Sequence, residues 1–286
     1  MLGSITLKRS PRGLEALPTF EAFASEPDDD LDVAVGAALY ARDHHAELDA
    51  ASLVRELEAL GSALAAEDIA GWPVRAQIDR LSRFVYGELG FAGDAADYYD
   101  PKNSLLPDVM ARRRGIPITL ALVYAEIARA NGVDVAGVGF PGHFLLRVGP
   151  PDHALFVDPF DKGRELDDAS LRALLRRAMG HDAHLDPQLL EPTKGRQILV
   201  RMLTNLKNAF AGRGDHARAF LALDRIANLV PTSTRILREH AIAASVIGAV
   251  EIARADIERL LELEPLAPDV ETLRRRLEAL VPRPAN

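Results

Sequence analysis

The chain has 286 residues, 34 Lys and Arg against 42 Asp and Glu, a formal net charge of −8, and no cysteine. The missing thiols exclude cysteine catalysis, disulfides, iron–sulfur clusters and thiolate zinc sites, and the acidic balance argues against a nucleic-acid partner drawn by a broad positive field. No run of about 18 apolar residues occurs, so no membrane helix is expected.

In chain order, Met1 to Arg9 lack a basic start followed by an apolar run, which predicts no signal peptide and a cytoplasmic protein. Residues 14–90 read as helices. Pro27-Asp28-Asp29-Asp30 places acids where a helix begins, with Leu31, Val35, Ala38 and Leu39 spaced at helical period after it. Leu53, Val54, Leu57, Leu60 and Leu64 form one apolar face, and Ile78, Leu81, Phe84, Val85 and Leu89 another, ending before Gly90. Residues 90–104 are rich in Gly, Asp and Tyr and read as loop. A helix over residues 105–114 follows, its Arg112-Arg113-Arg114 opposing the helix dipole and Gly115 expected as the C-cap.

Pro117 suits the first turn of a helix running to Ala130. Ile118, Leu120, Ala121, Leu122, Val123, Ala125, Ile127 and Ala128 make it apolar almost all round, so it is expected inside the domain. Three β-rich runs come next, at residues 133–138, 144–148 and 154–157. Helices followed by clustered strands indicate α+β rather than alternating α/β architecture. Gly137-Val138-Gly139-Phe140-Pro141-Gly142 matches a dinucleotide fingerprint formally. A strand follows it where the fingerprint needs a helix N-terminus, so its glycines read as turn residues. His181-Asp182-Ala183-His184-Leu185-Asp186, bracketed by Gly180 and Pro187, reads as a polar connector rather than a metal site. No cofactor and no metal are expected.

From Lys194 the chain is expected to be helical and repetitive. Gly214 recurs as Gly248, Ala219 as Ala253, Leu223 as Ile257, Ile226 as Leu260, Leu229 as Leu263 and Pro231 as Pro265, always 34 residues on. That is the period of tetratricopeptide repeats. The small residue expected in the first helix is Lys207 in one copy and Ala241 in the other. Two copies are fewer than a free-standing stack needs, so the module is expected to lean on the domain before it.

His143 starts one predicted strand and Asp158 ends the next. If Arg147 pairs with Ala154, His143 lies directly opposite Asp158, on the same face. A carboxylate beside a histidine orients its tautomer and holds its cation, as in a catalytic triad; a structural contact at a sheet end uses the same two residues.

Asp100-Pro101-Lys102-Asn103-Ser104-Leu105, then Arg113-Arg114-Gly115-Ile116-Pro117-Ile118-Thr119-Leu120, then Gly137 to Leu145 and Val157-Asp158-Pro159-Phe160, together resemble the SirB family. The resemblance covers about residues 30–280 and implies a papain/transglutaminase-like core followed by tetratricopeptide-type helices, with a related core in a vertebrate F-box protein. It divides the chain into a transglutaminase-like α+β domain at 1–190, with a helical part at 14–90 and a core at 91–190, and an all-α module at 191–286. The resemblance implies a triad of Cys at the start of the buried helix, His143 and Asp158; here Pro117 stands at the cysteine position. Thr119 is the nearest hydroxyl, a weaker nucleophile than a thiolate. Asn103 is expected to line the same cleft. Two functions follow. The first is a non-catalytic protein-binding or regulatory module whose C-terminal repeats engage a protein partner, with no nucleic acid and no membrane involved. The alternative is a hydrolase or acyl-transfer enzyme using His143 and Asp158, the remnant of the triad, with a non-cysteine nucleophile.

Overall fold

A computed structural model describes residues 19–280, so the expectations for the first nine residues and for residues 14–18 lie outside it. Four helices open the described chain: α1 (Phe20–Ala24), α2 (Val33–Ala41), α3 (Ala50–Ser62) and α4 (Val74–Ser82). The acid run does not start α2. Residues Asp28–Asp30 form a short 3₁₀ turn, and Asp32 caps α2, its Oδ1 accepting from the N–H groups of Ala34 (2.9 Å) and Val35 (3.2 Å). Asp28 instead pairs with Arg196. Helix α4 runs into a π-helical turn, Arg83–Glu88, where Leu89 N–H donates to Phe84 O (2.8 Å).

Two short strands, β1 (Ala92–Gly93) and β2 (Arg114–Gly115), pair in parallel and flank α5 (Leu106–Arg112). The left-handed cap of α5 is Arg113 (φ 56°) rather than Gly115, which is engaged in β2. Arg113 is steadied there by lying over the Phe91 ring, 4.6 Å from its centroid.

Helix α6 (Pro117–Ala130) is the centre of this unit, with every residue from Pro117 to Ala128 buried. It packs on α2, α3 and α4 and on two strands of a four-stranded antiparallel sheet. The strands are β3 (Val135–Val138), β4 (Leu145–Val148), β5 (Leu155–Asp158) and β6 (Arg164–Leu166), in that spatial order. The sequence expectation missed β6, whose three residues are too few to show a period. Its register for β4 and β5 was also off by two residues. Arg147 pairs with Phe156, not Ala154, because Pro150 and Pro151 cannot donate to a ladder and residues 149–154 form a longer turn instead. Helix α7 (Asp168–Met179) then covers one face, burying Leu171 and Leu175 against Val138, Phe140 and Leu145.

Helix α8 (Gly195–Gly212) contains the division between two compact units, the first ending at Met202 and the second starting at Leu203. The second unit continues with α9 (His216–Leu229), α10 (Thr234–Ile247), α11 (Val250–Leu263) and α12 (Val270–Ala279). The 34-residue offset holds at backbone level. Gly214 and Gly248 both turn through positive φ (75° and 79°), and Val230 and Glu264 end α9 and α11 with the same φ of −132°. Lys207, the odd residue of its copy, pairs with Glu239. His240 is buried here between Asp256 (2.7 Å) and Asp224 (3.5 Å) and stacks on Phe220, ring centroids 4.8 Å apart. No helix among the described residues is long and apolar enough to cross a membrane.

Candidate functional site

His143 and Asp158 come together at one end of the sheet. Asp158 is the last residue of β5, and His143 lies two positions before β4. Because the register slip is an even number of residues, the two stay on one face, as diagonal rather than direct neighbours. His143 Nε2 lies 2.8 Å from Asp158 Oδ1, with side-chain exposures of 16% and 6%. The distance is within hydrogen-bond reach, although the direction at Nε2 is not well aligned with the carboxylate oxygen.

Asp158 Oδ1 also accepts the backbone N–H groups of Phe160 (2.9 Å) and Asp161 (3.2 Å). Burial pushes its carboxyl up, but the His143 contact and these two donors outweigh burial and hold it below the ordinary carboxylate range. The turn carrying His143 is fastened from behind. Arg201 donates to the carbonyls of Phe140 (3.2 Å) and His143, with its guanidinium 5.5 Å from the Phe144 centroid. Gly142 sits in that turn at φ 66°, where an added Cβ would lie 2.8 Å from the Cβ of Ala178. The glycines of the apparent fingerprint therefore serve a strand and its turn.

Thr119 is not placed to replace a cysteine. Its residue is 0% exposed, and its hydroxyl accepts from Ile116 N–H (3.1 Å) and donates to the Asn103 carbonyl (2.8 Å), with the Ile116 carbonyl also within 3.0 Å. It ties the helix start to the preceding loop, half of a capping box. Asn103, expected in the cleft, is a buried strut: Nδ2 donates to Asp97 O (2.8 Å) and Oδ1 accepts from Arg112 (3.2 Å). Its low exposure and local backbone partners overturn the cleft-lining expectation.

His143 and Asp158 open onto a cleft of about 610 Å³, walled by Tyr98, Tyr99 and Phe160 on one side and by Arg177 and Ala178 of α7 on another. The aromatic residues form an edge-to-face ladder, Tyr98 to Tyr99 at 5.2 Å and Tyr98 to Phe160 at 5.7 Å. Of these walls the sequence singles out only Phe160, as part of a family motif and not as a cleft residue. The only advance sign of the others was an adjacent tyrosine pair in a polar loop. Among the described residues no group of three or more His, Asp or Glu is placed to hold a metal ion.

Comparison with known proteins supplies the family. Residues 49–204 match the transglutaminase-like superfamily and residues 206–278 the tetratricopeptide repeat. A UPF0162 protein of Xylella fastidiosa (strain 9a5c) is 38% identical over 268 residues, covering 91% of this chain and 94% of the relative. The chain belongs to the UPF0162 family. A UPF0162 protein of Pseudomonas aeruginosa is 34% identical over 251 residues, 86% of this chain and 90% of its own. F-box only protein 21 of Mus musculus is 33% identical over 137 residues, 45% of this chain and 21% of that protein. No solved structure matches. The domain order expected from the SirB resemblance is thus the order found in this UPF0162 chain.

Proposed function

We propose that this UPF0162 protein, read as a SirB-type protein, is a non-catalytic transglutaminase-like scaffold whose repeat module binds a protein partner. The observation that carries the reading is the lack of a nucleophile at the His143–Asp158 pair. The chain has no cysteine, Thr119 is sealed in the helix cap, and among the described residues no serine, threonine or lysine lines the cleft. A general base without a nucleophile within reach supplies neither covalent step of an acyl transfer. The binding half of the proposal is supported by α10, where Ile242 and Val246 stand one turn apart and are 51% and 69% exposed.

The reading is tested with two variants of the full chain. Ile242→Asp combined with Val246→Asp is expected to cut capture of a native partner by about tenfold, while leaving the fold intact. Hydrolysis of amides and esters that disappears in His143→Ala would overturn the non-catalytic half. That outcome would favour the acyl-transfer alternative, which the 2.8 Å approach of His143 to a buried carboxylate keeps in view.

A further inference from the structure

We propose that the cleft at His143 binds a monoanionic ligand: a carboxylate carried on a flat aromatic body. Arg177 and His143 would receive the carboxylate, and the ladder of Tyr98, Tyr99 and Phe160 the body. The proposal rests on the non-catalytic reading of the His143–Asp158 pair and assigns that cleft an occupant.

Three observations converge on this class. The first is what the walls lack. With no serine, threonine or lysine among the described lining residues, the walls offer a guest the N–H groups and charge of His143 and the arginines and the hydroxyls of Tyr98 and Tyr99. The second is the charge pattern in a chain of net −8. Asp161 is neutralised by Arg164 at 2.5 Å, and Asp158 faces His143 at 2.8 Å. Arg177, exposed in the last turn of α7, has no carboxylate partner among the described residues. One unopposed guanidinium matches one carboxylate, which it can grip with two parallel N–H donors; a phosphate dianion would remain under-neutralised.

The third observation is the aromatic wall. Tyr99 is 72% exposed, and the edge-to-face ladder leaves ring faces available to a stacking guest. A cleft of about 610 Å³ suits a small ligand with an apolar body and few polar anchors. His143 stands between the two features. Its Nε2 is turned to Asp158 inside the protein, and the ring borders the cleft, so a guest's charge is felt at an imidazole that can be watched directly.

The test uses the full chain labelled with ¹⁵N-histidine and two probes of equal shape, 3-phenylpropanoate and the neutral 3-phenylpropanamide. The acid is expected to shift the His143 ring signals saturably and to bind about tenfold more tightly than the amide. Arg177→Gln, a surface change that leaves the fold intact, is expected to bring the acid down to the affinity of the amide. Tyr98→Ala is expected to weaken both probes alike. Equal binding of acid and amide, no response at His143, or a preference that survives Arg177→Gln would each overturn the proposal. Conversion of the amide to the acid in the same tube would overturn the non-catalytic reading beneath it, and new acid signals make that failure distinguishable.

Discussion

A single oxygen of Asp158 faces His143 and the N–H groups of Phe160 and Asp161. Replacing Asp158 with Ala is expected to cost about 1–3 kcal/mol in chemical denaturation, because buried donors lose their acceptor, with no loss of turnover to accompany it. Its carboxyl is held below the ordinary range, so its stabilising contribution is present above that range and fades as pH falls through the folded-state value. His240 works in the opposite direction. Burial lowers it, but the contacts with Asp224 and Asp256 prevail and raise it from 6.5 to about 9. Its contribution is complete below pH 6.5 and disappears as pH rises through about 9, a difference of up to about 3 kcal/mol. Urea denaturation of the repeat module at pH 6 and pH 10 should show this loss, and His240→Gln should abolish it. A ring titration of His240 near 6.5 would contradict the assignment. Of the site, the His–Asp pair was legible because Asp158 ends β5, His143 comes just before β4, and a register error of two residues leaves both on one face. The aromatic and guanidinium walls were not, since they come from a loop and a helix whose approach no local pattern encodes.

At the scale of elements, legibility followed period and length. Helix α6 was readable to the residue, because Pro117 fixes its start and a long apolar stretch admits no wet face. The three-residue β6 left no signal, and the two prolines after β4 moved the register by an amount that alternation alone cannot detect. The repeats were readable because glycine is required at the same place in each. Gly214 and Gly248 hold left-handed backbone in open space, so Gly→Ala at either should cost only the conformational term, about 1 kcal/mol. Gly142→Ala should cost more, since Ala178 also blocks the new Cβ. Equal Tm losses at all three positions would show that crowding at Gly142 is relieved elsewhere.

For the whole molecule, the proposed function separates fold from chemistry. The core keeps a transglutaminase-like arrangement while its cysteine position, by resemblance, is a proline, and a fold by itself does not carry an activity. A panel of amide, ester and glutamine-containing peptide substrates is expected to show no hydrolysis above buffer, equally in the native chain and in His143→Ala. That expectation rests on the absence of cysteine from the composition. What composition could not foretell is that Thr119, the nearest hydroxyl, would be fully buried and committed to the helix cap.

The π-helical turn Arg83–Glu88 has an unusual implication for tolerance to changes in chain length. A π turn holds one residue more than an α turn can, so the surplus residue can be removed without rotating what lies on either side. Deleting Gly87, which is exposed, should relax the turn to ordinary α-helix and keep Leu81 and Phe91 in phase with the core. The same deletion inside α6 would swing every later side chain by about 100° around the axis. Insertions and deletions among related chains should therefore collect at this turn and be absent from the buried helix.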